Sequence, residues 1–458
     1  MSEADIIFSG RFSIKISGSA LFFSDGDYID RKFCNLLFME KAVKKIIIIL
    51  SWLLVAGCAS LERSLVKDIV DTGKVSLNRC EVEGFEYGGV DSALDGGQVL
   101  KLLMIHGVGT HHPGYSMRLQ ENLAGNIGFN VVSRLPKNVT LLDPADGETE
   151  IGNLRVTYWQ NKASGKRMLF YELTWSMITA PDKEIIAFDT EERYSKFRVP
   201  FNNTMKVFLD NTLPDPLVYE VDRSDLILKS GKQSLCWMLK TGWNDVPDGQ
   251  KAVCALTPEE RIAGLAGQNL MFVTHSLGSK ILMDTLTAEA NEVAAAGNRA
   301  GRFAAVRKLQ QKEITVFMLA NQLPILQIGH PLPKIHNQTD AYCFKGGSRY
   351  GSRLFKGVNI VAFSDPNDIL SYAIPQTFAD KYLDSRICPR VTNVSVNVAP
   401  EISAFGFGVV DPVAAHTEYD NSPKVINLIT RGTLNFGADE DLNGQCRFIR
   451  MEKDNKMR

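Results

Sequence analysis

The stretch that most constrains this chain is residues 269–283, NLMFVTHSLGSKILM. Apolar residues Leu270 to Val273 run into the turn Thr274-His275-Ser276-Leu277-Gly278, and an apolar run of helical spacing follows at once. A short apolar run that stops at a turn is the pattern of a strand buried on both faces. A strand passing directly into a helix belongs to a parallel sheet covered by helices. The serine between them needs a separate reason. A serine hydroxyl is a weak nucleophile at neutral pH unless a base lies beside it and fixed donors await the oxyanion it creates. A sharp strand-to-helix turn lifts Oγ clear of the sheet and aims the helix N-terminus at developing negative charge. Strand and helix approach closely at such a turn, so small neighbours are needed, and Gly278 meets that need.

The rest of the chain repeats the rhythm. Apolar runs at 99–105, 154–159, 167–175, 269–274, 314–320, 358–363 and 391–398 read as strands. Helical patterns occupy 279–311, broken near Gly297 and Gly301, and 422–431. This order predicts an α/β fold with a mostly parallel sheet and helices on both faces. Residues 176–265 interrupt it with short amphipathic pieces, and they read as an inserted cap over the C-terminal edge of the sheet, with peripheral packing as the alternative. The 458 residues are 45% hydrophobic and 22% charged, an ordinary globular composition. The net charge is -1 and no Lys/Arg block stands out, so nothing points to nucleic acid.

The hexapeptide Thr274-His275-Ser276-Leu277-Gly278-Ser279 resembles the nucleophile elbow of the α/β-hydrolases, lipases and esterases in particular, where Gly-His-Ser-Leu-Gly-Gly is usual. Thr274 and Ser279 depart from that pattern. The resemblance covers roughly 99–432 and implies an α/β-hydrolase fold with a Ser-His-Asp triad in the order serine, acid, histidine. Ser276 is then the nucleophile. Of the seven histidines only His416 follows the strand at 358–363, in a loop before the helix at 422–431, where this family places its base. The segment SDPNDILSYAIP after that strand offers two acids. Asn367-Asp368-Ile369-Leu370, with Pro375 beyond, matches the family pattern better and implies Asp368; Asp365 is the alternative, and Asp411 a remoter one. The Leu277 N–H is the first implied oxyanion donor. LLMIHGVGTHHPG resembles the His-Gly turn that supplies the second, at Val108, with His106 as a structural hydrogen-bonding residue. His111 and His112 read as loop residues at the cleft rim, and His275 as packing against the elbow. Adjacent histidines do not converge on one ion, so no metal or cofactor is expected.

The N-terminal part concerns destination. In MEKAVKKIIIILSWLLVAGCAS (39–60), Lys41, Lys44 and Lys45 precede an apolar run ending in Leu54-Val55-Ala56-Gly57-Cys58. This resembles the lipobox of bacterial lipoproteins, which implies cleavage before Cys58 and acylation of its thiol; an uncleaved signal anchor or a buried helix is the alternative. Ala59 in place of Asp implies sorting to an outer membrane. Residues 1–38 fit a signal sequence badly, and Met39 is the expected start. Cys80, Cys236, Cys254, Cys343, Cys388 and Cys446 are an even set for disulfides in an oxidising compartment, with Cys236 and Cys254 the most local pair. The basic loop 343–356 (Lys345, Arg349, Arg353, Lys356) reads as solvated, with head-group contact as the alternative.

The expected organisation is therefore an over-extended start at 1–38, a signal peptide at 39–57, a lead-in at 58–98, a hydrolase domain at 99–432 with a cap insertion at about 176–265, and a C-terminal tail at 433–458. The expected activity is hydrolysis of esters or acyl lipids through an acyl-enzyme, by a protein lipid-anchored at Cys58 in a bacterial cell envelope. The rival expectation is a catalytically inactive hydrolase-fold lipoprotein serving as an envelope scaffold or binding module.

Overall fold

A computed structural model describes residues 79–451, apart from 133–134, 222, 241, 297–302 and 405–406, together with four short strands near the N-terminus. The chain divides into two units, Met1–Ser76 and Leu77–Arg458. In the first, Ile6–Phe8 pairs with Phe12–Ile14, and Ile16–Ser17 with Ala20–Leu21. Met39, the segment 39–57 and Cys58 lie outside the described residues.

The second unit is built on one twelve-stranded sheet. Its strands are β1 (Cys80–Gly84), β2 (Leu100–Ile105), β3 (Asn130–Val131), β4 (Lys137–Leu142), β5 (Glu150–Gln160), β6 (Arg167–Thr174), β7 (Gln250–Ala252), β8 (Asn269–His275), β9 (Glu313–Leu319), β10 (Gly357–Ser364), β11 (Pro389–Val396) and β12 (Arg447–Arg450). The spatial order is β7-β4-β5-β6-β2-β8-β9-β10-β11-β1-β12, with β3 pairing on β5. From β6 to β11 every neighbouring pair is parallel. All six residues of β2 are buried, as the continuous apolar run requires of a central strand.

Side chains on β2 alternate between two cores. Leu103 and Ile105 join one, while Leu100, Leu102 and Met104 join the other. Helices α2 (Ser224–Lys240), α3 (Pro258–Gly267) and α4 (Gly278–Ala295) cover the first core through residues such as Leu235, Ile262 and Ile281. Helices α1 (Met117–Asn126) and α6 (Pro423–Arg431) cover the second through Leu119, Leu123, Val425 and Leu428. The start of α3 is set by Thr257, whose hydroxyl accepts the Glu260 N–H while the Glu260 carboxylate accepts the Thr257 N–H. The architecture is thus α/β, with a mostly parallel sheet and helices on both faces.

Two boundaries differ from the sequence expectation. The region 176–265 is not one cap: α2 and α3 are layer helices on the first core, and β7 is an edge strand of the sheet. Only 176–221 is left as an insert, and its longest helix, Pro200–Thr212, buries one residue, Thr212. The apolar spacing within α2 is that of any layer helix, and no strand signal separates it from the amphipathic pieces before it. The lead-in and tail are also part of the sheet: β12 pairs in parallel with β1, and Cys80 is bonded to Cys446 across 366 positions. Disulfides also join Cys236 to Cys254, as the local spacing suggested, and Cys343 to Cys388.

Candidate active site

Strand β8 ends at His275, and α4 begins at Gly278. Between them Ser276 takes φ 54°, the left-handed region that a non-glycine residue enters only where surrounding structure holds it. The hold is visible: the Ser276 N–H donates to the Leu319 carbonyl at the end of β9, at 2.9 Å. The close approach anticipated at Gly278 is also present, because a Cβ there would lie 2.3 Å from the Ile105 carbonyl oxygen. Gly107 is just as constrained, since a Cβ on it would lie 2.5 Å from Ser276 Cβ and 2.8 Å from the His275 carbonyl oxygen. The two departures from the elbow pattern meet each other: Thr274 Oγ1 and Ser279 Oγ are 2.9 Å apart, both fully buried. A hydroxyl pair thus braces the base of the turn.

Helix α5 (Pro412–Thr417) carries His416 in its last turn, so the histidine is helical rather than in a loop. Its Nδ1 lies 3.0 and 2.9 Å from the two Asp368 carboxylate oxygens, with both side chains buried. A donor at Nδ1 leaves Nε2 as the free base of the ring. Burial pushes the Asp368 carboxyl up, but the His416 ring and the Leu370 N–H hold it below the usual carboxylate range. Asp365 is employed differently. Its oxygens accept the Val398 N–H at 2.7 Å and the Asn367 N–H at 2.8 Å, which fixes the turn rather than a histidine. Asp411 caps α5 by accepting the Val413 N–H at 2.9 Å.

His416 sits against the elbow. Its carbonyl accepts from His275 Nε2 at 2.8 Å, and the two rings meet edge to face at 5.1 Å. Burial, then the neighbouring His416, lowers the His275 pKa to about 3, so that ring stays neutral and donates. Ser276 Oγ and His416 Nε2 are both buried and have no hydrogen-bond partner among the described residues, so they are not bonded to each other. A nucleophile–base bond commonly tightens only when substrate is bound.

The loop after β2 completes the arrangement. His106 Nδ1 donates to the Gly107 carbonyl at 2.8 Å, and its Nε2 accepts the Trp175 N–H at 3.0 Å. Its ring stacks on Trp175 at 4.7 Å, and burial holds its pKa well below the ordinary imidazole value. His106 therefore fixes the peptide whose other end is the Val108 N–H. Among the described residues neither the Val108 nor the Leu277 N–H donates to an acceptor. His111 is half-buried against the same loop, and His112 is exposed.

Two features had no signal in the sequence. Tyr419, in the 3-10 turn that follows α5, accepts the Asp365 N–H at 2.7 Å and reaches Asp368 Oδ2 at 3.5 Å, tying both acids of the loop to that turn. In the basic loop, Arg353 is buried over the Tyr350 ring at 3.6 Å and donates to the Tyr350 and Gln310 carbonyls, so it is engaged within the fold. Among the described residues no group of three or more His, Cys, Asp or Glu side chains is arranged to hold a metal ion. Comparison with known proteins matches the chain to no family model, to no curated protein and to no solved structure.

Proposed function

We propose that this chain is a serine ester hydrolase of α/β-hydrolase type. The observation that carries the reading is the buried Asp368–His416 pair packed against His275 of the strand-to-helix turn that holds Ser276 at φ 54°. In this mechanism Ser276 Oγ attacks the ester carbonyl carbon while His416 Nε2 takes its proton, and Asp368 keeps the imidazole in the right tautomer and stabilises the imidazolium. The oxyanion is received by the Val108 and Leu277 N–H groups. The imidazolium returns the proton to the departing alcohol, leaving an acyl-enzyme. Water, deprotonated by His416, then releases the acid and regenerates Ser276. No cofactor enters.

Fatty esters and acyl lipids are the substrate class favoured by the insert, which presents apolar side chains outward: Phe197 is 88% exposed and Phe201 66%. The destination proposed is a bacterial envelope, with a lipid on Cys58. Two arguments support it. The six cysteines after Cys58 are all joined in disulfides, which suits an oxidising compartment. Cys58 itself follows the apolar and basic pattern of a lipobox.

The test is reaction of the full chain with a fluorophosphonate, with the adduct mapped by mass spectrometry. An adduct on Ser276 that is lost in His416→Ala supports the reading, and p-nitrophenyl esters of graded chain length then define the acyl preference. Folded protein that forms no adduct overturns the enzyme reading and leaves an envelope scaffold or binding module in its place.

A further inference from the structure

The insert at 176–221 packs Ile178 and Tyr219 on the first core and reaches the loop after β2 through polar side chains. Asp215, in the short helix Pro214–Glu220, is fully buried. Its Oδ2 accepts the Gly109 N–H at 2.6 Å and lies 2.9 Å from Lys183 Nζ, while its Oδ1 accepts the Thr179 hydroxyl at 2.6 Å. A second side chain of the insert, Asn211, accepts both the N–H and the hydroxyl of Thr110, at 3.2 and 2.9 Å.

The partner of Asp215 is what gives it meaning. The Gly109 N–H belongs to the same peptide plane as the Val108 carbonyl, and that carbonyl accepts from His111 Nε2 at 3.2 Å. Burial lowers the His111 pKa, so the ring is neutral and donates here as one tautomer. The plane is thus held at both ends, by Asp215 and by His111. The preceding plane, which carries the Val108 N–H, is held at its carbonyl end by His106. Two consecutive planes fixed in this way leave Val108 with one orientation. Gly109 follows at φ 100°, a value that glycine adopts without strain.

We infer that Asp215 is a positioning residue for the oxyanion donor at Val108, acting through the Gly109 N–H. The inference rests on the hydrolase reading. It makes the insert part of the reaction machinery rather than only a cover, and it assigns Lys183 the task of neutralising a carboxylate that would otherwise oppose charge developing on the oxyanion. A donor misplaced by about 1 Å costs on the order of 100-fold in rate, because hydrogen bonds in a pre-organised site depend steeply on geometry.

The experiment compares an oxygen ester with its matched thionoester, whose sulfur is a poor hydrogen-bond acceptor and draws little from oxyanion donors. The wild-type protein is labelled with a fluorophosphonate in parallel. In Asp215→Ala, kcat for the ester is expected to fall about 10- to 100-fold with KM within about twofold. The thionoester rate is expected to stay within about threefold, so the ester-to-thionoester ratio collapses. Asp215→Asn, nearly isosteric and still offering an acceptor to Gly109, is expected to recover most of the ratio. Should the alanine variant fail to fold, His111→Gln against His111→Ala reads the other end of the same plane with the same two substrates. Equal loss on both substrates, or none on either, overturns the role of Asp215 while leaving the hydrolase reading intact. Wild-type protein without a Ser276 adduct overturns both.

Discussion

The elbow at Ser276 and the insert at 176–221 both touch the loop 106–112, but they are held by different forces. The elbow is wedged: Ile105 presses on it from β2 and His106 and Gly107 from the loop after it, Leu319 bonds it from β9, and its hydroxyl pair is sealed in the core. Among the described residues the insert buries two apolar side chains, Ile178 and Tyr219, against the first core. Ile185, Phe197 and Val221 are 72%, 88% and 73% exposed, and the attachment to the loop runs through the polar side chains of Ser176, Asn211 and Asp215. Close packing tolerates almost no displacement, whereas a segment tied by a few polar bonds opens at lower free-energy cost than the core beneath it.

Five experiments break or sharpen this contrast. The largest effect belongs to the wedged side: Ser276→Ala is expected to lower turnover about 10⁴- to 10⁶-fold with circular dichroism and melting unchanged. Asp368→Asn is expected to cost about 10⁴-fold in kcat, while Asp365→Asn destabilises by about 1–3 kcal/mol with far smaller kinetic loss, since its carboxylate serves backbone N–H groups. Denaturant titration and steady-state kinetics on the pair separate the two roles, and equal small losses would remove the acid from this loop. Gly107→Ala is expected to reduce turnover by about 100-fold, because a Cβ cannot fit against Ser276 without moving it.

The fourth expectation concerns pH. His106, His111 and His275 are lowered by burial, His275 to about 3. Once unfolded, each binds a proton below about pH 6.5. Between that value and the folded pKa the unfolded chain therefore holds more protons, and stability falls as pH falls. Thermal melts should decline already from pH 6.5 to 5, well before carboxylates titrate; a flat profile over that range would show that these rings are not buried neutral. The smallest effect is expected on the insert's outer face, where Phe201→Ser and Leu217→Ser should each change stability by less than about 0.5 kcal/mol in denaturant titration. A loss of several kcal/mol there would mean that the insert is packed as tightly as the elbow.

What could be read along the chain was local. The apolar runs at 99–105, 269–274, 314–320 and 358–363 declared the central strands, because a strand buried on both faces needs apolar residues at every position and no information from its neighbours. Ser276 was legible for the same reason: strand, turn and helix are contiguous there. The choice between Asp365 and Asp368 was only half legible, resting on a pattern of neighbours. Tertiary structure separates the two surroundings: α5 sets His416 against Asp368, 48 positions away, while the Asp365 carboxylate accepts the Val398 N–H from the chain after β11. It also decided the edges. β1, β4, β7 and β12 are short or mixed in polarity and become strands through their pairing partners, and the bond from Cys80 to Cys446 depends on the two ends of the domain arriving side by side. Asp215 was invisible for the most basic reason. A carboxylate's function is set by what surrounds it, and the Gly109 N–H that gives this one its place lies 106 residues earlier in the chain.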